Sequence, residues 1–219
     1  MAWYSIKAAA GRSDIAILDD IGAGGITARD FKTSLDSLGR VGLLDISIHS
    51  AGGDVSDGVA IFNMLAGHPA KKTVTVLGLA ASIASVIAMA GDEVIMPGNA
   101  LMMIHEPWGG VTGRSSDVRK YADTLDIFRD SIVGAYTKRT GLSAAKIKKM
   151  LADETWMTAA DAVDLGFADR VVPAVKAAAS IDVSRFRHPP GAALSKVQAP
   201  LSLNDLAPRI YAKYNARRR

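Results

Sequence analysis

Apolar residues along this chain switch between two spacings: short β-branched runs, and longer stretches with an apolar position every three or four residues. That switch sets the expected elements. Residues Asp14 to Ile21 (D-I-A-I-L-D-D-I) predict a strand, Gly22 to Gly25 a glycine-rich turn, and Phe31, Leu35 and Leu38 a helix that Gly39 ends. Leu43 to Ile48 (L-L-D-I-S-I) predicts a second strand, and Val59, Ile61, Phe62 and Leu65 mark a helix from about Val55 to Gly67. Lys72 to Gly78 (K-T-V-T-V-L-G) reads as a third strand, and the small and aliphatic run Ile83 to Ala90 as a helix opening after Ser82. Strand, helix, strand, helix, strand, helix argues for right-handed βαβ crossovers and a mainly parallel sheet, an α/β fold. In such a sheet the ligand site lies beyond the carboxyl ends of the strands. Gly52-Gly53 and Ser82 both stand at that edge.

Further along, Leu101 to Ile104 is strand-like and runs into His105-Glu106-Pro107, where proline stops regular pairing. Trp108 to Gly113 (W-G-G-V-T-G) is too glycine-rich for a central strand but suits an extended edge able to pair with a peptide as an added strand. Ser115 or Ser116 is expected to cap a long helix from Asp117 to about Lys138, apolar at Val118, Tyr121, Leu125, Phe128, Ile132 and Tyr136. That is more apolar surface than one small core needs, and two readings fit: packing on another subunit, or burial in this one. Short helices at Ala144 to Leu151 and Ala159 to Leu165, a strand at Asp169 to Val172 and an amphipathic helix at Leu203 to Tyr214 complete the expected elements.

Thr73 to Gly91 carries no charge over 19 residues, near the length of a membrane span. Its polar Thr73, Thr75, Ser82 and Ser85, and its change from a β-branched to an alanine-rich half, fit a buried strand and helix better. Composition agrees, with 49% hydrophobic and 22% charged residues in 219, an ordinary globular balance for one domain with an appendage. Without cysteine, thiolate catalysis, disulfides and sulfur-bound metals are excluded. The four histidines are widely separated, which gives a histidine-based metal site little support, and no cofactor is expected. The amino-terminal residues lack the apolar core of a signal peptide, which makes the cytoplasm the expected compartment. The net charge of +4 is uneven: residues 174–219 hold nine Lys or Arg against Asp182 and Asp205, a balance of +7 that leaves residues 1–173 at −3. The expected organisation is a folded domain over 1–173 and a basic, flexible tail over 174–219, which is either a solvated terminus or an arm for an acidic partner. Nucleic acid is not an expected partner.

Ser82 stands where a strand hands over to a helix, with free backbone N–H groups and the positive helix end beside its hydroxyl. That position suits a nucleophile and equally suits a plain N-cap. His105, at a strand end, suits a general base near neutral pH and equally a structural histidine. Asp153-Glu154 could orient an imidazole or be solvated surface, and Gly52-Gly53 permit a close approach by a ligand.

The strings Ile48-His49-Ser50-Ala51-Gly52-Gly53-Asp54-Val55, Gly78-Leu79-Ala80-Ala81-Ser82, Met103-Ile104-His105-Glu106-Pro107 with Gly109-Gly110, and Trp156 to Gly166 (W-M-T-A-A-D-A-V-D-L-G) occur in one order across about residues 43–172. Together they resemble the proteolytic subunit of Clp protease. The Asp-Ile-Gly turn and Ile-Thr-Ala helix start resemble its phage-encoded branch, associated with head maturation. The resemblance implies a crotonase-like, Clp-type spiral of ββα units with residues 117–138 as a handle helix. It also implies a serine endopeptidase in which Ser82 is the nucleophile and His105 the base. Gly53 and Ile83 would be the oxyanion donors, and Gly52, Trp108, Gly109, Gly110 and Val111 would hold the substrate. The implied partners are unfolded polypeptide, further copies of the chain in heptameric single or double rings, and an ATPase unfoldase or phage capsid and scaffold proteins. The chain has no phosphate-binding loop of the Walker A kind, so any ATP use belongs to a partner.

Three departures from the family pattern matter. Alignment puts Glu154 where the family has its third catalytic residue, an aspartate, with Asp153 as the alternative. Ala51 replaces the usual proline before the glycine pair, and the amino-terminal axial-gate segment is not recognisable. Two rival readings stand beside the peptidase: a catalytically silent ring or capsid-associated scaffold, and a crotonase-type acyl-CoA enzyme with the same oxyanion logic.

Overall fold

A computed structural model describes residues 6–9, 11–174 and 183–190. The chain divides into two compact units, Met1–Ala174 and Val175–Arg219. In the second, the described residues form a turn in which the Phe186 N–H donates to the Val183 carbonyl (3.1 Å) and the Arg185 guanidinium lies 5.5 Å from the Phe186 ring centre. The helix expected over 203–214 lies outside the described residues.

The first unit is built on an eight-stranded, mostly parallel sheet with helices between the strands, as the alternating pattern requires. Its strands are β1 (Ile6–Ala9), β2 (Arg12–Ile17), β3 (Leu43–Ser50), β4 (Lys71–Ala81), β5 (Glu93–Pro97), β6 (Leu101–Ile104), β7 (Thr155–Thr158) and β8 (Arg170–Val172). They run in the order β1-β2-β3-β4-β5-β8, with β6 pairing both β4 and β7. Pairing is parallel except for β1 with β2 and β6 with β7. The helices are α1 (Ala28–Ser37), α2 (Val55–Gly67), α3 (Ile83–Ala88), α4 (Ser115–Thr140), α5 (Ala144–Ala152) and α6 (Ala159–Asp164). Side chains cap several of them, as when Thr27 accepts from the Asp30 N–H and Asp54 from the Asp57 N–H.

β4 is the spine of the sheet. One edge pairs with β3 along almost its whole length, while the other is shared: Thr73 to Thr75 pair with β5, and Leu79 to Ala81 pair with β6. The β3–β4 register shifts between Ile48, opposite Val76, and Ser50, opposite Ala80. At this shift the His49 imidazole stands in for a ladder carbonyl, its Nδ1 accepting from the Leu79 N–H at 3.1 Å in a buried contact. β3 and β4 are buried almost throughout, and the polar residues that alternate with their aliphatic ones, Asp45, Ser47 and His49 in β3 and Thr73 and Thr75 in β4, are buried as well.

Several expectations are corrected. The strand expected over 14–21 ends at Ile17, and Ile21 instead makes isolated bridges to Ile26 and Gly53. β4 runs to Ala81 rather than Gly78, because β6 supplies a partner for its last residues. β5 and β7 are additional strands: β5 is buried on both faces and shows no alternation, and β7 exists only by pairing with β6. α4 is capped by Arg114 rather than a serine, with the Asp117 carboxylate accepting from the Arg114 N–H at 3.0 Å. Of its apolar positions, Ile132 and Tyr136 are buried and Val118 is exposed, as is Ile127. Residues 108–112 form no strand in the single chain, and Trp108 and Val111 are exposed. The uncharged run 73–91 is β4 and α3, and among the described residues no helix is long and apolar enough to cross a membrane.

His68 closes α2, its Nδ1 accepting from the Ala70 N–H at 3.2 Å while Lys72 donates to the His68 and Ala70 carbonyls. Burial, and then the nearby Lys72 charge, hold its pKa below the ordinary histidine value. The unfolded chain therefore binds this proton more readily than the folded one. Stability from His68 is complete above the unfolded pKa of about 6.5 and falls as the pH drops through the lower folded value. Thermal melts at pH 7.5 and pH 5 should accordingly show a smaller acid-induced drop for His68→Gln than for the wild type; equal drops would refute the coupling.

Candidate active site

Strand register brings the candidate residues together. In the β4–β6 ladder Ala81 lies opposite Met103, and the Ser82 N–H extends it by donating to the Met103 carbonyl (2.9 Å). In the β6–β7 ladder Ile104 lies opposite Thr155, so the next pair outward is His105 and Glu154. Three neighbouring strands thus end on the three residues: β4 on Ser82, β6 on His105, and β7 begins just after Glu154.

At this edge the His105 Nε2 and the Ser82 Oγ are 2.8 Å apart, a hydrogen bond between residues 23 positions apart in sequence. Ser82 makes no side-chain bond to the first turn of α3, so its hydroxyl faces the imidazole rather than capping the helix. Its backbone has φ 55° and ψ −131°, a conformation that β4 and α3 impose at a sharp strand-to-helix turn. Among the described residues, the non-glycine residues with positive φ are Ser82 and Glu154. Such strain costs about 1–3 kcal/mol at each residue and persists only where the surrounding fold enforces it.

Of the two adjacent acids, Glu154 is buried, with Oε2 3.9 Å from the His105 Nδ1, an ion-pair distance longer than a hydrogen bond. Its Oε1 accepts from the Trp156 Nε1 at 3.3 Å. Asp153, the alternative, closes α5 at the surface and pairs with Lys149 at 2.7 Å. The left-handed turn at Glu154 sends the two consecutive carboxylates to different surroundings.

The glycine pair lies against the serine turn. A Cβ on Gly52 would come within 2.7 Å of the Ala81 carbonyl oxygen and of the Ser82 Cβ, so only glycine lets β3 approach the elbow. Gly53 bridges Ile21: the Ile21 N–H donates to the Gly52 carbonyl, and the Ile21 carbonyl accepts from the Asp54 N–H. In a parallel bridge of this kind the N–H of the middle residue points away from the partner, here toward the side on which β4 ends. The Ile83 N–H, first in α3, has no partner within the helix. Trp108, Gly109, Gly110 and Val111 follow His105 in the irregular segment.

Sequence reasoning passed over Trp156, which holds the Glu154 carboxylate, and Ser85 and Tyr136, which meet beneath the elbow at 2.8 Å. Ser85 carried a faint signal, a polar residue three positions after Ser82 inside an apolar helix; Tyr136 carried none. Among the described residues no cluster of His, Asp and Glu could hold a metal ion.

A strained serine hydrogen-bonded to a histidine, beside a glycine loop and a helix start, has the arrangement of a hydrolase that works through a serine nucleophile. The family model described as Clp protease matches residues 33–175, which contain all of these groups. The chain belongs to the Clp protease family.

Geometry makes Glu154, rather than Asp153, the carboxylate that addresses the imidazole. Glu154→Gln should slow labelling of Ser82 by a fluorophosphonate, by up to about 10⁴-fold if it behaves as the corresponding carboxylate does in trypsin. Asp153→Asn should label at the wild-type rate. The reverse pattern would reassign the role.

Proposed function

We propose that this protein is a serine endopeptidase of the Clp type that cleaves unfolded or flexible polypeptide. The observation that carries it is the 2.8 Å contact between the Ser82 hydroxyl and the His105 imidazole at a strained turn. With the imidazole proton on Nδ1 toward Glu154, Nε2 takes the Ser82 proton as Oγ bonds to the substrate carbonyl carbon. The carbonyl oxygen gains charge next to the N–H groups of Gly53 and Ile83, fixed dipoles that need no reorganisation during the step. The C–N bond then breaks as His105 passes the proton to the leaving amine. A water molecule, activated by the same imidazole, releases the acyl group and restores Ser82.

The exposed segment Trp108 to Val111, together with Gly52, is proposed to receive the substrate backbone as an added strand. Its backbone is unpaired by regular structure in the single chain, consistent with a partner strand arriving from outside. Self-association into rings enclosing a chamber accords with family membership and with the apolar Val118 and Ile127 on the surface of α4. In this proposal residues 1–173 are the peptidase domain, 174–219 are a basic appendage, and the enzyme works in the cytoplasm, the host's if phage-encoded. The Asp-Ile-Gly turn and Ile-Thr-Ala start favour a role in prohead maturation, with capsid or scaffold proteins as substrates, over a partnership with an ATPase unfoldase.

The test is direct. The wild type should hydrolyse a casein-like unfolded protein and take up one fluorophosphonate per chain, and Ser82→Ala should do neither. Cleavage that survives Ser82→Ala would overturn the assignment, and an unreactive, correctly assembled wild type would favour the scaffold.

A further inference from the structure

Beneath the elbow lies a buried chain of hydroxyl groups that the steps above do not use. Ser85 Oγ is 2.6 Å from the Ser82 carbonyl oxygen and 2.8 Å from the Tyr136 hydroxyl. The carbonyl can only accept, so the single Ser85 proton is committed to it. Tyr136 must therefore donate to Ser85. The direction of the relay follows: Tyr136 Oη–H to Ser85 Oγ, and Ser85 Oγ–H to Ser82 C=O.

Both side chains are buried, Ser85 at 0% and Tyr136 at 1% exposure. The Tyr136 ring packs tilted on Phe167, with ring centres 5.7 Å apart. Burial pushes the phenol pKa well above its ordinary value, and the bond to Ser85 offsets this only in part, so the phenol stays a donor at every working pH. The Ser85 N–H also donates to the same carbonyl, at 3.0 Å. Two donors thus converge on the oxygen of one residue, the residue with the strained backbone.

The Ser82 carbonyl and the Ile83 N–H belong to one planar, trans peptide unit and point in opposite directions. Fixing the oxygen fixes the direction of that N–H. We infer that Tyr136 and Ser85 are positioning residues that clamp the Ser82–Ile83 peptide plane, aiming the Ile83 N–H at the oxygen that gains charge while the same plane holds the nucleophile turn. The clamp reaches from α4 into α3 and so ties the long helix to the reacting centre. This inference rests on the serine peptidase reading and deepens it.

Tyr136→Phe keeps the ring against Phe167 and removes only the hydroxyl. Ser85→Ala removes the link itself. The expected result is a fall in the fluorophosphonate labelling rate of about fivefold for Tyr136→Phe and about tenfold for Ser85→Ala, with the double variant no slower than Ser85→Ala. Affinity for a peptide boronate, which presents a tetrahedral oxyanion, should fall by the same factors while KM for the matching peptide stays unchanged. A hydroxyl that only supported the fold would alter the melting temperature and leave the boronate affinity at 25 °C untouched. Unchanged labelling and boronate affinity, or a loss confined to KM, would overturn the clamp. A wild type that neither labels nor binds boronate would defeat the peptidase reading instead. Amide hydrogen exchange across residues 82–90 would then decide the clamp, since faster exchange in both variants supports it and unchanged exchange overturns it.

Discussion

One edge of β4 serves two strands, and the site depends on that division. β5 occupies the first part of the edge and β6 the second, so β6 begins farther along and its end falls beside the end of β4. A strand that paired with β4 from its start would leave His105 far from Ser82. β7 then lies antiparallel on β6 and brings Glu154 to the imidazole from the opposite chain direction. Backbone hydrogen bonding, which tolerates no unpaired buried groups, sets these registers to within a residue. Side-chain chemistry is built on that frame.

Strain accompanies the frame. β4 and α3 leave Ser82 no room for an ordinary turn, and its positive φ is held by the ladder bond to Met103 on one side and the Ser85 contacts on the other. Glu154 is strained for a related reason: α5 ends at Ala152 with Asp153 as its C-cap and β7 starts at Thr155, so one residue must reverse the chain. Gly52 completes the set by allowing β3 to pass within contact distance of the serine turn. The strain at Ser82 and Glu154 costs free energy that the buried sheet offsets, the usual relation between a rigid scaffold and strained positions at a candidate site.

Some of this was legible from residue order. Short β-branched runs alternating with helical stretches are the mark of a parallel sheet, and α2 and β6 have the limits their patterns imply. Ser82, His105 and the glycine pair stood out because each is a chemically active or permissive residue at an element boundary. β5 and β7 did not, because a doubly buried strand lacks alternation and a four-residue strand is defined by its partner. The extended edge expected at 108–113 has no regular pairing in the single chain, and backbone groups without a partner do not make a strand.

The amino-acid sequence by itself determined the α/β architecture, the positions of most helices and which serine and histidine are the candidates for the site, since local periodicity and residue chemistry are carried by neighbours along the chain. Only the tertiary structure decided that Glu154 and not Asp153 faces the imidazole, that Ser82 turns its hydroxyl away from its own helix, and that Tyr136 reaches the elbow through Ser85. These depend on strand register and on single backbone torsions, and a shift of one residue or one φ angle would send each side chain elsewhere.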